Sequence, residues 1–446
     1  MKKREVEEMS KMTFQGGIHP YEGKELTEDK EIRPLLPKSD LVYPLSQHIG
    51  APATPVVKKG DSVLVGQLIA QAGGFVSANI HASVSGTVKC IEPRMTSNGV
   101  KVNSIVIEND GEYREADATP ILDDHKLTKE VIREKVKDAG IVGMGGAGFP
   151  THVKLTPQND DEIDYVIVNC AECEPYITSD YRRMIEEPEK LVEGLKIVLK
   201  LFPNAQGILA VENNKPKAIK LLEKLVTGEE KITVKTLKTK YPQGAERQLI
   251  YVTTGRKIDS SMLPAHAGCV VNNVDTIVNI YCAIREGKPL TERVVTVTGD
   301  AVKEPGNFLV KLGTNCEELI EAAGGFVCEP EKVIAGGPMM GKAMSDIKVP
   351  STKGLSALLS FKVDEVAKCE PSNCIRCGRC ISVCPGGIMP SMLAKIAEQG
   401  NEEAFIANHG MECCECGCCS YICPAKKPLT QVIAGTRKQI LANKKK

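Results

Sequence analysis

The sequence predicts a multidomain chain of mixed α/β and α+β class, and three observations predict it. Residues 36–115 hold short Gly- and Val-rich runs of alternating polarity, the pattern of β-strands broken by tight turns. Residues 120–285 alternate helical periodicity with short apolar runs, as expected where helices cover a parallel sheet on both faces. Ten of the 18 cysteines fall between Cys374 and Cys423. In a chain of 446 residues that density points to a local metal-binding module rather than a secreted disulfide scaffold.

Composition narrows the function. Lys plus Arg and Asp plus Glu number 57 each, so no basic excess drives nonspecific nucleic-acid binding. No apolar run reaches the ~18–20 residues that span a bilayer. The best stretch, 268–284, carries Asn272, Asn273, Asp275 and Asn279. MKKREVEEMS at the start lacks an apolar core and is not expected to be a signal peptide. Lys444, Lys445 and Lys446 at the other end are expected to be solvated. The expectation is a cytoplasmic chain with no transmembrane segment of its own.

Each segment follows in order. Residues 1–35 are charged and Pro-punctuated, an extended N-terminal arm marked by TFQGGIHPYEGK (13–24). In 36–115, VKKGDSVLVGQLIAQAG (57–73) and IHASVSGTVKCIE (80–92) resemble the two halves of a barrel-sandwich hybrid, the fold of lipoyl and biotinyl carriers. The joining hairpin, AGGFVSANI, has no Lys, so a structural module without a swinging arm is expected. In 120–285, a helix should open at Leu127-Thr128, bury Val131, Ile132 and Val136, and end at Gly140. IDYVIVNC (163–170) and GILAVEN (207–213) are buried strands, and 188–201 and the run to Leu225 are helices. Residues 290–350 return to β around one helix (316–323), as in a small β-grasp. Residues 365–430 are the cysteine module, and 431–446 a polar helical tail.

The cysteines form two copies of one motif. Cys374, Cys377, Cys380 and Cys384 space as C-x2-C-x2-C-x3-C before Pro385, and Cys413, Cys416, Cys419 and Cys423 repeat this before Pro424. This is the bacterial two-cluster ferredoxin pattern, in which three thiolates cap one cubane and the fourth reaches the other. It assigns Cys374, Cys377, Cys380 and Cys423 to one 4Fe–4S cluster, and Cys413, Cys416, Cys419 and Cys384 to a second. Zinc is disfavoured, because its modules separate two C-x2-C pairs by a dozen or more residues. Cys414 and Cys418 remain alternative ligands. The isolated cysteines read as small buried hydrophobes.

GIVGMGGAGFPTHVK (140–154) holds Gly143, Gly145, Gly146 and Gly148, which permit close approach of a phosphate to free N–H groups. A helix rather than a strand precedes the loop, so it is not the usual dinucleotide fingerprint, and it lacks the Gly-Lys-Ser/Thr of a Walker A loop. NCAECEPYITSDYR (169–182), YPQGAER (241–247) and VVNNVDT (270–276) add amides and carboxylates. Each taken singly is a cap, turn or surface group. Together they suit a polar heterocycle with ribityl hydroxyls and one phosphate, which describes FMN.

In order and residue type these motifs resemble the 51-kDa flavin- and NADH-binding subunit family of respiratory complex I, over about 120–280. The resemblance implies that Gly143, Gly145, Lys154, Asn169, Glu172, Tyr241, Gly244, Asn272, Asn273 and Thr276 hold FMN. It implies that Gly146, Phe149, Glu174 and Glu246 face the nicotinamide nucleotide. Two departures stand out: Cys173 where the family usually has Ser, and IDSSMLPAHAG (258–268) without the Phe that would meet adenine.

The order of modules, from the Gly-Gly-Ile-His-Pro arm through an SLBB-like β-grasp (290–350) to the ferredoxin motifs, resembles the RnfC family of the Rnf electron-transport complex. This implies an NADH-dependent oxidoreductase subunit that binds FMN and two 4Fe–4S clusters, takes NAD(H) as substrate and needs no catalytic acid or base. It implies partners among the other Rnf subunits, ferredoxin indirectly, and a peripheral seat on the cytoplasmic side of an ion-translocating membrane complex. A cobalamin reductase of microcompartments shares the motifs, and a non-catalytic iron–sulfur relay is the third alternative; FQGGIHP favours Rnf.

Overall fold

The computed structural model describes residues 12–443; the charged first residues and Lys444–Lys446 lie outside it. The first β module sandwiches two sheets. One has the order Leu41–Pro44, Lys101–Asn109, Gly86–Met95, Ser62–Val63; the other has Thr54–Pro55, Leu68–Gln71, Ile80–His81. Alternation puts Leu41, Tyr43, Ile69, Ile80, Val88, Ile105 and Ile107 between them. The hairpin between Gln71 and Ile80 is tied down. Asn79 accepts from the Ala72 N–H and donates to the Asp138 carbonyl, and Ser77 accepts from Gly73.

The α/β domain builds on four parallel strands in the order Ile232–Leu237, Gln206–Glu212, Tyr165–Cys170, Cys269–Asn273. Helix Lys129–Asp138 starts where Thr128 caps Val131 and stops before Gly140, whose φ of +65° ends it; Ile132 and Val136 are buried, while Val131 is only half-buried. Pro188–Leu199, Pro216–Leu225 and Val274–Tyr281 pack their apolar sides into one core with the strands.

Three expectations about extent change. The β-grasp sheet has six strands, with Ala357–Phe361 between Glu292–Thr298 and Lys332–Ala335, so it runs beyond residue 350. Its edge is Ile32–Leu35, parallel to Gly306–Lys311. The N-terminal arm is therefore extended but not free. Its described residues form no core of their own and use those of others: Phe14 is buried in the α/β domain, and Lys24 is buried with its ammonium on the Glu174 and Ile177 carbonyls. The C-terminal tail is part of helix Leu429–Asn443, which buries Leu429, Ile433 and Ile440 in the cysteine module.

Lys353 joins three modules. Its side chain is fully buried and donates to the carbonyls of Asn79 (2.5 Å) and Gly140 (2.7 Å), while its own N–H donates to Gln47. Burial pushes the amine down to about 7 from 10.5. Below pH 7 it is charged in folded and unfolded chains alike. Above it the folded chain sheds a proton that the unfolded chain keeps until about 10.5, so this group's contribution to stability grows with pH across that window. The Lys353→Met chain should thus melt below wild type at pH 7, with two orphaned carbonyls at ~1–3 kcal/mol each, and the gap in Tm should widen by pH 9. A gap that stays constant would show that the amine remains charged.

Candidate functional site

The order of the parallel sheet locates a crevice. The chain steps outward from Tyr165–Cys170 through the next two strands, then returns to place Cys269–Asn273 on the other side of Tyr165–Cys170. Between those two strands lies a topological switch point, and ligands of open α/β sheets sit there, at the carboxyl ends. Asn169 and Asn273 are paired at those ends. Beside them Asn272 is 3% exposed, yet neither its amide nitrogen nor its oxygen has a partner. A buried amide left unpaired on both sides is costly, and a ligand with complementary polar edges would satisfy it. The residues present fit an FMN.

The Gly-rich loop curls over this end. Gly143 N–H donates to Phe149 O (2.8 Å), Val142 bridges Pro150, and Met144 N–H donates to the Thr276 hydroxyl (3.1 Å). Thr276 therefore holds the loop. Gly145 packs on Asn273, where a Cβ would come within 2.6 Å of the amide nitrogen, whereas Gly146 faces open space. Gly148 has φ +71°, which a side chain would strain. The helix after the loop is only Thr151–Lys154, so its dipole is small and the loop's own N–H groups matter more for a phosphate. Lys154 donates to Val271 O (2.8 Å) and lies 3.8 Å from Glu246; burial lowers its pKa.

The other expected residues divide. Asn169 bonds Gly244 O (2.8 Å), and Gly244 N–H reaches the Cys173 sulfur (3.2 Å), so Cys173 replaces Ser as a weak acceptor. Glu172, in the left-handed region at φ +48°, accepts the N–H groups of Asp180 and Tyr181 and so caps helix Ser179–Glu186; burial raises its pKa. Asn273 donates to Asp180 (2.6 Å). Phe149 is half-buried, and Glu246 opens helix Glu246–Thr254 with its side chain 43% exposed. Glu174 is engaged elsewhere. Its Oε1 accepts from Met339 (2.7 Å) and Met340 (2.9 Å) in the β-grasp module, and it does not pair with Arg182 or Arg183, which bind Glu186 and Glu187. Its carboxylate also faces the Tyr241 side chain. Tyr241 is buried with its hydroxyl unpartnered, against Cys416 and Cys418.

Asp180 was not a sequence candidate, since Ser-Asp at a helix start reads as a cap. Burial first, then the Glu172 charge, pushes its carboxyl up to about 8, so near neutral pH it carries a proton beside Asn273.

In the cysteine module both motifs fold alike. Arg376 and Glu415, each just before the second Cys, have φ of +56° and +58°; Gly378 and Gly417 have +74° and +82°, and each opens a short helix, Arg379–Ser382 or Cys418–Tyr421. Cys384, Cys413, Cys416 and Cys419 line one cavity, together with Cys414 and Cys418. That soft-thiolate set, drawing Cys384 across from the first motif, fits an iron–sulfur group. Among the described residues no three His, Cys, Asp or Glu side chains converge to metal-binding distance.

Comparison with known proteins agrees with this order of parts. A Nuo51 FMN-binding domain model matches residues 136–282, an RnfC barrel sandwich hybrid model 12–112, and an SLBB model 294–343. One subunit of the proton-translocating ferredoxin:NAD(+) oxidoreductase complex of Clostridium ljungdahlii is 46% identical over 87% of this chain and 85% of its own. The chain belongs to the RnfC family. A Na(+)-translocating counterpart from Acetobacterium woodii is 43% identical over 97% of this chain and 98% of its own. A chain of an NAD+-reducing [NiFe]-hydrogenase overlaps at TM-score 0.49 and 18% identity, covering 70% of this chain and 61% of that one. This RnfC family member thus carries an FMN-binding domain, and among its described residues no helix is long and apolar enough to cross a membrane.

Two substitutions test the flavin crevice. Gly146→Val projects into open space, so it should leave the fold intact and lower FMN content, whereas Gly145→Val would also disturb Asn273. Asn272→Leu removes the unpaired amide; it should stabilise the flavin-free chain by ~1–3 kcal/mol and weaken FMN retention. Unchanged flavin content in both would remove these residues from the site.

Proposed function

We propose that this chain is the NAD(H)-oxidising or -reducing subunit of an ion-translocating ferredoxin:NAD oxidoreductase complex. It would exchange a hydride with NAD(H) at an FMN seated over the switch point and carry electrons onward through two 4Fe–4S groups. The unpartnered Asn272 amide at the carboxyl ends of the strands is the observation that carries the flavin's place. FMN, when bound, supplies the conversion between a two-electron hydride and single electrons.

The chain's residues bind and orient. Loop N–H groups from Gly143 to Gly148 would meet the phosphate. Asn272 would meet polar edges of the flavin, with Asn169, Glu172, Tyr241, Gly244 and Asn273 building the walls around it. Lys154 and Glu246 lie side by side at the open rim, where Glu246 can take ribose hydroxyls and Phe149 can lie against a ring. No side chain has to move a proton in direct hydride transfer. The modules we assign are the barrel-sandwich hybrid over 36–115, the flavin domain over 120–285, the β-grasp from 290, and the two-cluster module from 365. Other subunits of the complex would be its partners, with a peripheral seat on the cytoplasmic side of the membrane.

Anaerobically prepared protein should contain one FMN and about eight irons per chain. Zinc, or about four irons, would refute the two-group reading, and Cys384→Ala should damage the second group rather than the first. Glu246→Gln should retain FMN and iron but lose ~1.5–3 kcal/mol of nucleotide binding, roughly ten- to a hundredfold. Wild-type NADH titration of the flavin in that variant would show that Glu246 does not touch the nucleotide.

A further inference from the structure

The two cysteine motifs meet different surroundings. The side holding Cys384 and the second motif is fastened to the flavin domain. Glu412 binds Arg247 (2.8 Å) and the Ser260 N–H (3.0 Å), Gln248 donates to Pro385 O (3.4 Å), and Gly17 N–H donates to Val383 O (2.8 Å). At Gly16 a Cβ would come within 2.9 Å of the Cys384 carbonyl, so the arm passes this spot only as glycine. Cys416 and Cys418 are buried against Tyr241, whose loop continues to Gly244, Cys173 and Asn169 at the end of the central strand. Contacts thus run from the second motif through buried Tyr241 and half-buried Gly244, Cys173 and Asn169 to the flavin crevice.

The first motif looks outward. Cys374 and Cys377 are exposed, Ile375 is 68% exposed, and the Ser372 N–H is tied to Ala425 O within the same module. Arg376, Arg379 and Lys426 stand exposed around it, with no carboxylate partner among the described residues.

We propose that the iron–sulfur group which Cys384 shares with the second motif exchanges electrons with the flavin. The group of the first motif is then the exit, where Arg376, Arg379 and Lys426 dock a redox protein through an acidic face. NADH gives up a hydride and becomes NAD+; the two electrons leave one at a time through the inner group, then the outer, each reducing the partner's redox centre by one electron, and the proton goes to water. This rests on the two-group reading above, whose own failure would show first as an iron count well short of eight.

Electron paramagnetic resonance of the holoprotein tests the order. In Cys374→Ser/Cys377→Ser the surviving group should be reduced by NADH. In Cys413→Ser/Cys416→Ser the flavin should still bleach with NADH, while the surviving group responds only to dithionite. The converse pattern overturns the proposal. Should either pair lose both groups, the wild-type protein decides: with substoichiometric NADH the group reduced first should be shielded from a soluble dysprosium chelate, and a first-reduced group that the chelate relaxes strongly overturns the order. For the exit face, Arg376→Glu/Arg379→Glu/Lys426→Glu is sterically mild, since all three side chains are exposed and Glu415 occupies the backbone position that matches Arg376. It should keep FMN, iron and NADH reduction, yet rebind about tenfold more weakly to membranes holding the rest of the complex but lacking this chain. Undiminished rebinding would remove the docking role.

Discussion

The buried amine of Lys353 is the constraint on which the arrangement depends. Each module has its own apolar core, and separately cored modules would by default shift against one another. Lys353 prevents this at one point. It brings a strand-end segment of the β-grasp region to the hairpin of the first module at Asn79 and to Gly140, the residue that starts the Gly-rich loop. Arg293, also buried, adds a bond to the Lys353 carbonyl and lies 3.9 Å from Asp275 under the loop. Water is excluded from Lys353, Arg293 and Asp275 alike, so each is costly to leave unpaired.

A second layer of buried ionisable groups lies behind the crevice. Asp275 pairs with Arg183 at 3.0 Å, Asp180 is bonded by Asn273, and Glu172 caps the helix that carries Asp180 and Arg183. Such groups add little net stability, since desolvation offsets much of their attraction. They do fix geometry: removing one leaves another buried and unpaired. Thus Asn273, Thr276 and Glu172 act mainly by holding the loop, the helix start and each other, while Asn272 is left with both sides of its amide unpaired.

The N-terminal segment does a similar task by different means. Its described residues form no sheet or core of their own, yet they bridge Tyr241 at Ile18, meet the cysteine module at Gly17, and end as the edge strand of the β-grasp. Its glycines at 16 and 17 lie in the left-handed region against backbone and side chains of two other modules. A short extended segment can satisfy so many neighbours because its backbone groups, left unpaired locally, are available to them.

The sequence by itself determined what is local. Cysteine spacing, the trailing prolines, the apolar strand runs and the glycines of the loop each prescribe geometry within about ten residues, and all of it is visible in the order of side chains. The resemblance of Gly145, Asn169 and Asn272 to a flavin motif was legible for the same reason. Tertiary structure alone decided what is distant. Glu174 turns to a loop 165 residues away, Tyr241 in the middle of the chain meets Cys416 near its end, and strand Ile32–Leu35 joins a sheet whose other members begin at Glu292. Carboxylates and thiols look alike in sequence whichever neighbour they meet. The partner is chosen by which buried donor would otherwise go unpaired, and that is known only once the modules have packed.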